Sequence, residues 1–394
     1  VLTVSHAVAG QIMPEHDGGY RLPAGDYTYS IIAKGYEPLV AQTLKVEGGV
    51  VTVPVTMTSL GAAPVWDGTT KTTVTPIDGT YYIKSGAELA WFAGEINDEK
   101  RLLDARVVLL ADITLGNKNW KSVGGYDRKF NGSFDGNGCV ISGLAGNCYG
   151  LFYAVDTAGI IENLTVSGSI TGTSNTGGIV GVNSGTVKNC AANVMVAVDG
   201  QRAGGVVGNN SGGLISGCAA LAPVSSSYNS TNINKISLAL GGIAGQSSGT
   251  VEYSYNAAAV TAKGTSTNGL GGIGGVSGAN TGNIKNCYNI GVVSYADTHG
   301  KSTAGAVVDE NNGTVQNSYY LEGSCSKGVG SGSTDGVQSK TSTEMKAYAL
   351  VIALNDGSVD GPFYAAADAS QNGGYPVLKW QGGKAPVTSP DELG

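Results

Sequence analysis

The sequence has few charged residues, few phenylalanines and no long apolar run. Charged residues make up 13% of the 394 residues, and five residues are phenylalanine. No apolar stretch approaches the roughly 20 residues that a membrane-spanning helix needs, so we expect no membrane insertion. The net charge is −7, and no run of lysine or arginine is present that would follow a phosphate backbone. We therefore expect no nucleic acid partner.

Motifs of the common hydrolases are also missing. The three histidines, His6, His16 and His299, lie far apart, and there is no HExxH, GxSxG or cysteine–histidine signature. This pattern argues against a metallopeptidase and a serine hydrolase. The six cysteines include no CxxC pair, and a chain of this length needs no disulfide framework to fold.

Glycine is abundant, with 63 residues, and the composition favours short strands and tight turns. A six-residue motif recurs every 26 to 36 residues, about one coil of a parallel β-solenoid. Its copies are GIIENL (159–164), GTVKNC (185–190), GLISGC (213–218), GTVEYS (249–254), GNIKNC (282–287) and GTVQNS (313–318). The repeat predicts an all-β fold in which stacked coils share one core.

Three columns of the motif predict structural roles. Glycine in the first column fits a corner with positive φ or a close approach to the next coil. The residues of the third column are β-branched, and we expect them to face inwards. The residues of the sixth column are mostly small, and we expect them to face inwards as well, so the cysteines in this column should be reduced core residues. The residues assigned on this basis are Gly185, Val187, Cys190, Gly213, Ile215, Cys218, Gly249, Val251, Ser254, Gly282, Ile284 and Cys287.

The columns between these are expected to face outwards. Glu162 should lie beside Lys188 and Glu252 beside Lys285 on neighbouring coils, each exposed pair contributing about 0.2–1 kcal/mol. The fifth column is mostly asparagine, which predicts a ladder of amides bonded from coil to coil at a turn.

A glycine-rich segment, such as GGIVG (177–181), precedes each motif, and a further β-like segment follows it, which predicts three strands per coil. The combination resembles the GLUG repeat of large secreted and cell-wall bacterial proteins, including accessory regions of some immunoglobulin A peptidases. The resemblance covers roughly residues 130–320. It implies a right-handed parallel β-helix in a surface-exposed repeat region, and it implies no catalytic residue.

Short helical caps are predicted on both sides of the repeats. Residues 78–129 form the predicted N-terminal cap, with a capping box at Ser85 and Glu88, and residues 130–327 hold the repeats. Residues 328–381 form the predicted C-terminal cap, with a second capping box at Thr341 and Glu344 and a helix over 342–355. This cap is expected to cover the exposed edge of the solenoid. Residues 382–394 are expected to be a linker or tail.

The first 58 residues differ from the repeats. The segment RLPAGDYTYSIIAKGYEP and the following KVEGGVVTVPVTM alternate apolar and polar residues. They resemble the carboxypeptidase-regulatory or PEGA modules, which implies a small Ig-like β-sandwich that acts as a spacer or weak binder. Residues 59–77 are the predicted linker.

Aromatic residues are the candidate ligand-binding site. Tyrosines cluster around one edge of the later coils, at positions 253, 255, 288, 319 and 320, and Tyr295 lies on the following strand. The predicted binding residues are Tyr253, Tyr255, Tyr288, Tyr295 and Tyr319. An exposed stripe of this kind stacks against sugars or anchors a protein, whereas the alternative is that it only covers the flank of the solenoid. The insertion at 226–239 is either a binding loop or simply tolerated length.

Carboxylates from separate coils leave a carbohydrate-active enzyme as an alternative. The acids concerned are Asp135, Asp156, Glu162, Asp199, Glu252 and Asp309. Most fall in turns or in the outward column, which favours structural roles; Asp135 is expected to bond backbone amides two residues on. No cofactor is expected, and structural calcium remains open, although no DxDxDG or RTX spacing occurs.

Val1 begins inside a β-like pattern with no signal peptide, which suggests a piece of a longer protein. We therefore expect a monomeric, non-catalytic region of a bacterial exoprotein, extracellular and either secreted or at the cell surface. It serves as a stalk or presents an adhesive surface to host or environmental glycans or proteins. The alternative is a polysaccharide lyase or hydrolase.

Overall fold

The computed structural model describes residues 1–6, 8, 10–15, 19–227, 236–264, 270–296 and 301–385. His16 and His299 lie outside these ranges. Strands dominate the described residues, and most belong to long parallel sheets, which is consistent with an all-β parallel β-helix fold. No helix in the described ranges is both long and apolar enough to cross a bilayer.

We number the parallel sheets within the described residues I to IV. Sheet I contains Phe152–Val155, Val180–Asn183, Val207–Asn210, Ala244–Ser247, Ser277–Asn280, Val308–Asn311 and Val329–Gly332. Sheet II contains Thr80–Ile83, Arg106–Leu109, Ser133–Asp135, Ile160–Glu162, Thr186–Lys188, Leu214–Ser216, Thr250–Glu252, Asn283–Lys285 and Thr314–Gln316. Sheet III contains Ile113–Thr114, Val140–Asn147, Thr165–Gly172, Ala191–Val198, Ala219–Ala220, Val224–Ser226, Tyr255–Asn256, Val260–Lys263, Tyr288–Asn289, Val293–Ala296, Ser318–Leu321 and Val337–Lys340. Sheet IV contains Thr176–Gly177, Arg202–Gly204, Ile236–Gly241 and Leu270–Gly274.

The chain visits the sheets in the order I, II, III, IV. Val180–Asn183 is followed by Thr186–Lys188, Ala191–Val198 and Arg202–Gly204, and each of these strands pairs in parallel with its equivalent in the next repeat. This repeat contains four strands, one in each parallel sheet, whereas three strands per coil were predicted. The extra strand belongs to sheet IV. The glycine-rich segment GGIVG (177–181) was predicted as one strand, but it ends a strand of sheet IV at Gly177, turns, and begins a strand of sheet I at Val180.

The inward columns are where the sequence predicts them. The third-column residues are buried and stacked in register along sheet II; they are Ile161, Val187, Ile215, Val251, Ile284 and Val315. The sixth column is buried too, and its cysteines are free thiols. Burial raises the pKa of the Cys287 thiol to about 12, so the thiol stays protonated at neutral pH.

Positive φ belongs to the fifth column and not to the first. Asn163 and Asn189 have φ of 54° and 52°, a left-handed conformation that asparagine tolerates better than most residues. The Nδ2 of Asn189 donates to Oδ1 of Asn163 over 3.3 Å, and that of Asn317 to Oδ1 of Asn286 over 3.1 Å. These contacts confirm the predicted asparagine ladder.

The predicted N-terminal capping box is confirmed. The helix Gly86–Asn97 begins after Ser85, whose side chain accepts from the backbone N–H of Glu88. On its inner side, the Phe92 ring packs edge-on against Phe130, with 6.0 Å between centroids. The helix therefore covers the apolar core beside the first strands of sheet II.

The first residues form one antiparallel sheet instead of the predicted sandwich. Its strands, in spatial order, are Gly10–Ile12, Leu2–His6, Gly25–Ile31 and Leu39–Val46. Within the described residues no second sheet packs on it. The segment 51–57 carries Pro54, which lacks an N–H to donate, and it contains no strand.

Residues 59–77, predicted as a linker, contribute to the core of the parallel sheets. Trp66 is buried against Trp120, with 5.5 Å between ring centroids, and its backbone N–H donates to the carbonyl of Thr114. The structure thus gives this segment a packing role that composition alone did not predict.

The C-terminal segment is a set of short elements. They are the helices Ser342–Lys346 and Tyr348–Leu354, the antiparallel strands Phe363–Tyr364 and Val377–Leu378, and the 3₁₀ turns Asn372–Gly374 and Lys379–Gln381. The predicted capping box at Thr341 and Glu344 is present. The single predicted helix is interrupted at Ala347, whose ψ of 147° is extended. The predicted tail is described only as far as residue 385.

Candidate functional site

Three of the five predicted binding tyrosines are buried. Tyr255, Tyr288 and Tyr319 are register partners on successive strands of sheet III, so their side chains share one face of the sheet. The rings of Tyr255 and Tyr288 are parallel, with 5.0 Å between centroids, and these two residues are 1% and 0% exposed. They offer no surface to a sugar, and the binding role predicted for these three residues is therefore wrong.

The C-terminal segment covers this tyrosine column. Its apolar side chains form one cluster with the column; they are Met345, Leu350, Val351, Leu354, Phe363 and Leu378. The hydroxyl of Tyr255 donates to Oε1 of Gln381 over 3.1 Å, and that of Tyr288 donates to the carbonyl of Pro376. Further along, Nε1 of Trp380 donates to the carbonyl of Gly217 over 3.0 Å. The segment therefore lies along the flank of sheet III, whereas we predicted a cover over the solenoid edge.

The other two predicted tyrosines differ from each other. Tyr253 occupies the left-handed fifth column with φ of 46°, and its hydroxyl donates to Oδ2 of Asp356 over 2.8 Å, so it too contacts the C-terminal segment. Tyr295 is 42% exposed on a late strand of sheet III. Of the five, Tyr295 is the one whose exposure fits the binding prediction.

A signal for this burial was present in the sequence. Tyr255 follows the small inward Ser254 directly, so it must face the opposite way, and the equivalent residues in earlier repeats are Ala191 and Ala219. Large aromatic residues on an outer face need either a ligand or a covering segment. The apolar side of the predicted C-terminal helix needs a partner as well, and the structure brings the two surfaces together.

Most of the acids considered for catalysis have structural partners. Glu162 pairs with Lys188 and Glu252 with Lys285, each at 2.9 Å between nitrogen and oxygen, which confirms both predicted pairs. Asp135 accepts from the backbone N–H of Asn137 over 2.8 Å, as predicted for a turn aspartate. Across the described ranges, no three His, Cys, Asp or Glu side chains are grouped so as to hold a metal ion.

Two of the concave surfaces formed by the described residues lie beside the parallel sheets. One, of 450 Å³, lies at the end of sheet III and is lined mainly by serine and threonine, beside the insertion predicted as a binding loop. Residues 228–235 of that insertion lie outside the described residues. The other, of 390 Å³, lies between the N-terminal helix and the first strand of sheet I and was not predicted from the sequence.

No family model matches the chain. In sequence, 88 residues are 39% identical to halomucin of Haloquadratum walsbyi; they make up 21% of this chain and 1% of halomucin. In structure, the chain is similar to a Bacteroides ovatus protein that has been proposed to be an immunoglobulin A1 protease. The TM-score is 0.56 at 21% sequence identity, and the superposition covers 76% of this chain and 92% of the other. At that identity the similarity shows a shared fold and not a shared activity.

Proposed function

We propose that this chain is a non-catalytic region of an extracellular bacterial protein, in which GLUG-type repeats form a right-handed β-solenoid. It extends from the cell surface, or is secreted, and presents a binding surface to glycans or proteins. The continuous parallel sheets and the fold shared with the Bacteroides ovatus protein support the solenoid. The match to halomucin, a much longer protein, supports a role as one region of a larger chain.

The state of two exposed acids supports the non-catalytic part of this proposal. Glycoside hydrolysis generally needs one protonated carboxyl beside one ionised carboxylate. Beside the 390 Å³ concave surface, hydrogen bonds from Lys121 and Lys100 lower the pKa of Asp98 and Asp127, respectively. Both side chains are therefore ionised at neutral pH, and neither can serve as the proton donor.

The test is an assay for turnover. The purified chain is incubated with neutral and acidic polysaccharides and with immunoglobulin A1, and new reducing ends, unsaturated uronides and peptide fragments are measured. We expect no product above that of a heat-denatured sample.

Product that increases with protein concentration would overturn the proposal. If that product were a saccharide, and Asp127→Asn abolished it while Asp360→Asn did not, the chain would be a carbohydrate-active enzyme. Asp360 is a suitable control because it is also exposed and pairs with a lysine, Lys379, at 2.7 Å.

A further inference from the structure

The 390 Å³ concave surface combines aromatic rings with charged side chains. We call it the tyrosine cleft; the side chains that define it are Lys121, Asp127, Arg128, Asn147, Tyr149 and Tyr153. One wall is a tight turn with Tyr126 and Asp127 at its tip, closed by backbone hydrogen bonds between Gly125 and Arg128. The opposite wall carries Tyr149 and Tyr153. A cleft of this volume accommodates a small ligand.

The turn is held rigidly against the N-terminal helix. The backbone N–H of Gly124 donates to Oδ1 of Asn97 over 2.6 Å, and Nη1 of Arg128 donates to the carbonyl of the same residue. On the other wall, the backbone N–H of Tyr149 donates to Oγ of Ser122 over 3.1 Å. Both walls are thus fixed before a ligand arrives, which reduces the entropy lost on binding.

Tyr149 and Tyr153 in the cleft, and Tyr126 beside it, differ from the buried column in their exposure and bonding. Tyr126 is 85% exposed and Tyr149 is 36% exposed, and the Tyr149 and Tyr153 rings meet edge to face with 4.5 Å between centroids. Within the described part of the chain, the hydroxyls of these three tyrosines have no hydrogen-bond partner, whereas those of Tyr255 and Tyr288 do. Burial, together with the nearby phenols of Tyr149 and Tyr126, raises the pKa of Tyr153, which agrees with three closely spaced hydroxyls.

Cations outnumber carboxylates in the ion pairs beside the cleft. Asp98 is shared by Lys71 and Lys121, at 3.3 and 3.2 Å. Asp127 is likewise shared by Lys100 at 2.7 Å and Arg128 at 3.5 Å. Two carboxylates thus neutralise half of the charge on four cations, although the whole chain carries −7. The Lys121 side chain is 74% exposed, so it can reach a ligand.

We propose that the tyrosine cleft binds an acidic oligosaccharide. One sugar ring lies against Tyr149 and Tyr153, the tyrosine hydroxyls bond sugar hydroxyls, and Lys121 pairs with a sugar carboxylate. Aromatic faces supply apolar contact for the C–H surface of a sugar, and the excess cations select acidic chains over neutral ones. This site deepens the proposed function by naming a ligand class, and it rests on that proposal for the role of the chain in binding glycans.

The experiment measures binding by the whole chain to oligogalacturonate and, as a neutral match, to galacto-oligosaccharide of equal length. Titration calorimetry is performed at low and at moderate salt. We expect binding of oligogalacturonate that weakens with salt, and about tenfold weaker binding for Tyr149→Ala and for Lys121→Gln. The Lys121 side chain is 74% exposed, so Lys121→Gln tests the site in a variant with little risk of misfolding. Tyr295→Ala and Lys188→Gln, on other surfaces, should bind as the unmodified chain does.

Each result separates the site from the proposed function. Binding that the cleft variants leave unchanged, preference for the neutral sugar, or no binding to either sugar overturns the acidic-saccharide site while leaving a non-catalytic surface role intact. Binding of a protein but of neither sugar also overturns it. Binding lost in the cleft variants, accompanied by cleavage of the bound chain, supports the site and contradicts the proposed lack of turnover.

Discussion

Two residues in each repeat determine how neighbouring repeats stack. The first-column glycine is needed for close approach: a Cβ on Gly249 would lie 2.0 Å from the carbonyl oxygen of Gly213 in the preceding repeat. The fifth-column residue turns the chain with positive φ, which suits asparagine and glycine. Tyr253 is the exception in that column, and its hydroxyl is anchored to Asp356.

Replacing Gly249 with alanine should destabilise the protein by about 2 kcal/mol or more, because the added methyl would collide with backbone that cannot move alone. The matched change is Gly61→Ala, since a Cβ there meets nothing within 4 Å. Urea unfolding followed by circular dichroism should show a lower midpoint for Gly249→Ala and little change for Gly61→Ala. Equal midpoints for the two variants would contradict the close-approach role.

Repetition is what makes residue roles predictable here. Six aligned copies separate the inward columns from the outward ones, and the pairing of Glu252 with Lys285 follows from the alignment alone. The alignment did not predict the backbone conformation of the first-column glycines, because glycine suits either positive φ or close packing. In the structure these glycines have no positive φ. The tyrosine cleft also lies outside the repeated motif, so no comparison between copies indicated it.

At the scale of elements, the C-terminal segment is defined locally but placed by distant contacts. The capping box at Thr341 and Glu344 predicts where its first helix begins. Nothing local predicts that the segment lies along sheet III, since Tyr255 and its partner Gln381 are 126 residues apart. The apolar cluster beneath the segment thus joins the last part of the chain to strands that lie much earlier in the sequence.

This covering segment should make the protein sensitive to alkali. Desolvation on burial is the main cause that raises the pKa of Tyr255 to about 12, from an ordinary value of 10.0, and it also raises that of Tyr288. The unfolded chain loses these protons first, so the stabilisation is complete below pH 10 and is lost as pH rises towards 12. We expect the free energy of unfolding to fall by about 1.4 kcal/mol per pH unit for each such tyrosine in this window.

The variant Tyr255→Phe isolates one of these groups. Between pH 10 and 12 its free energy of unfolding should fall less steeply than that of the unmodified chain. The difference in slope should be about 1.4 kcal/mol per pH unit, which corresponds to one proton. Tyr295→Phe, at an exposed position, should keep the original slope. Denaturant titrations at several pH values give the slopes, and identical slopes for all three proteins would mean that Tyr255 is not buried under the C-terminal segment.

At the scale of the whole molecule, the parallel sheets form a linear array in which each repeat contacts mainly its neighbours. Stability in such an array is close to a sum of repeat and interface contributions. The N-terminal helix closes the core at one end, and the C-terminal segment braces the flank of the later repeats. One repeat between these regions should therefore be removable if the register is kept.

The register gives the length to remove: Thr186 pairs with Leu214, so deleting residues 186–213 removes one full coil. The deletion brings Ile215 beside Ile161, and each remaining strand meets an equivalent partner. We expect a soluble chain with the same circular dichroism spectrum per residue and a moderately lower unfolding midpoint. Deleting residues 186–214 instead should prevent folding, because it puts Ile215 in the place of Thr186, and a one-residue slip turns inward side chains outwards. If both deletions fold equally well, or neither folds, the repeats are not interchangeable coils and the solenoid proposal fails.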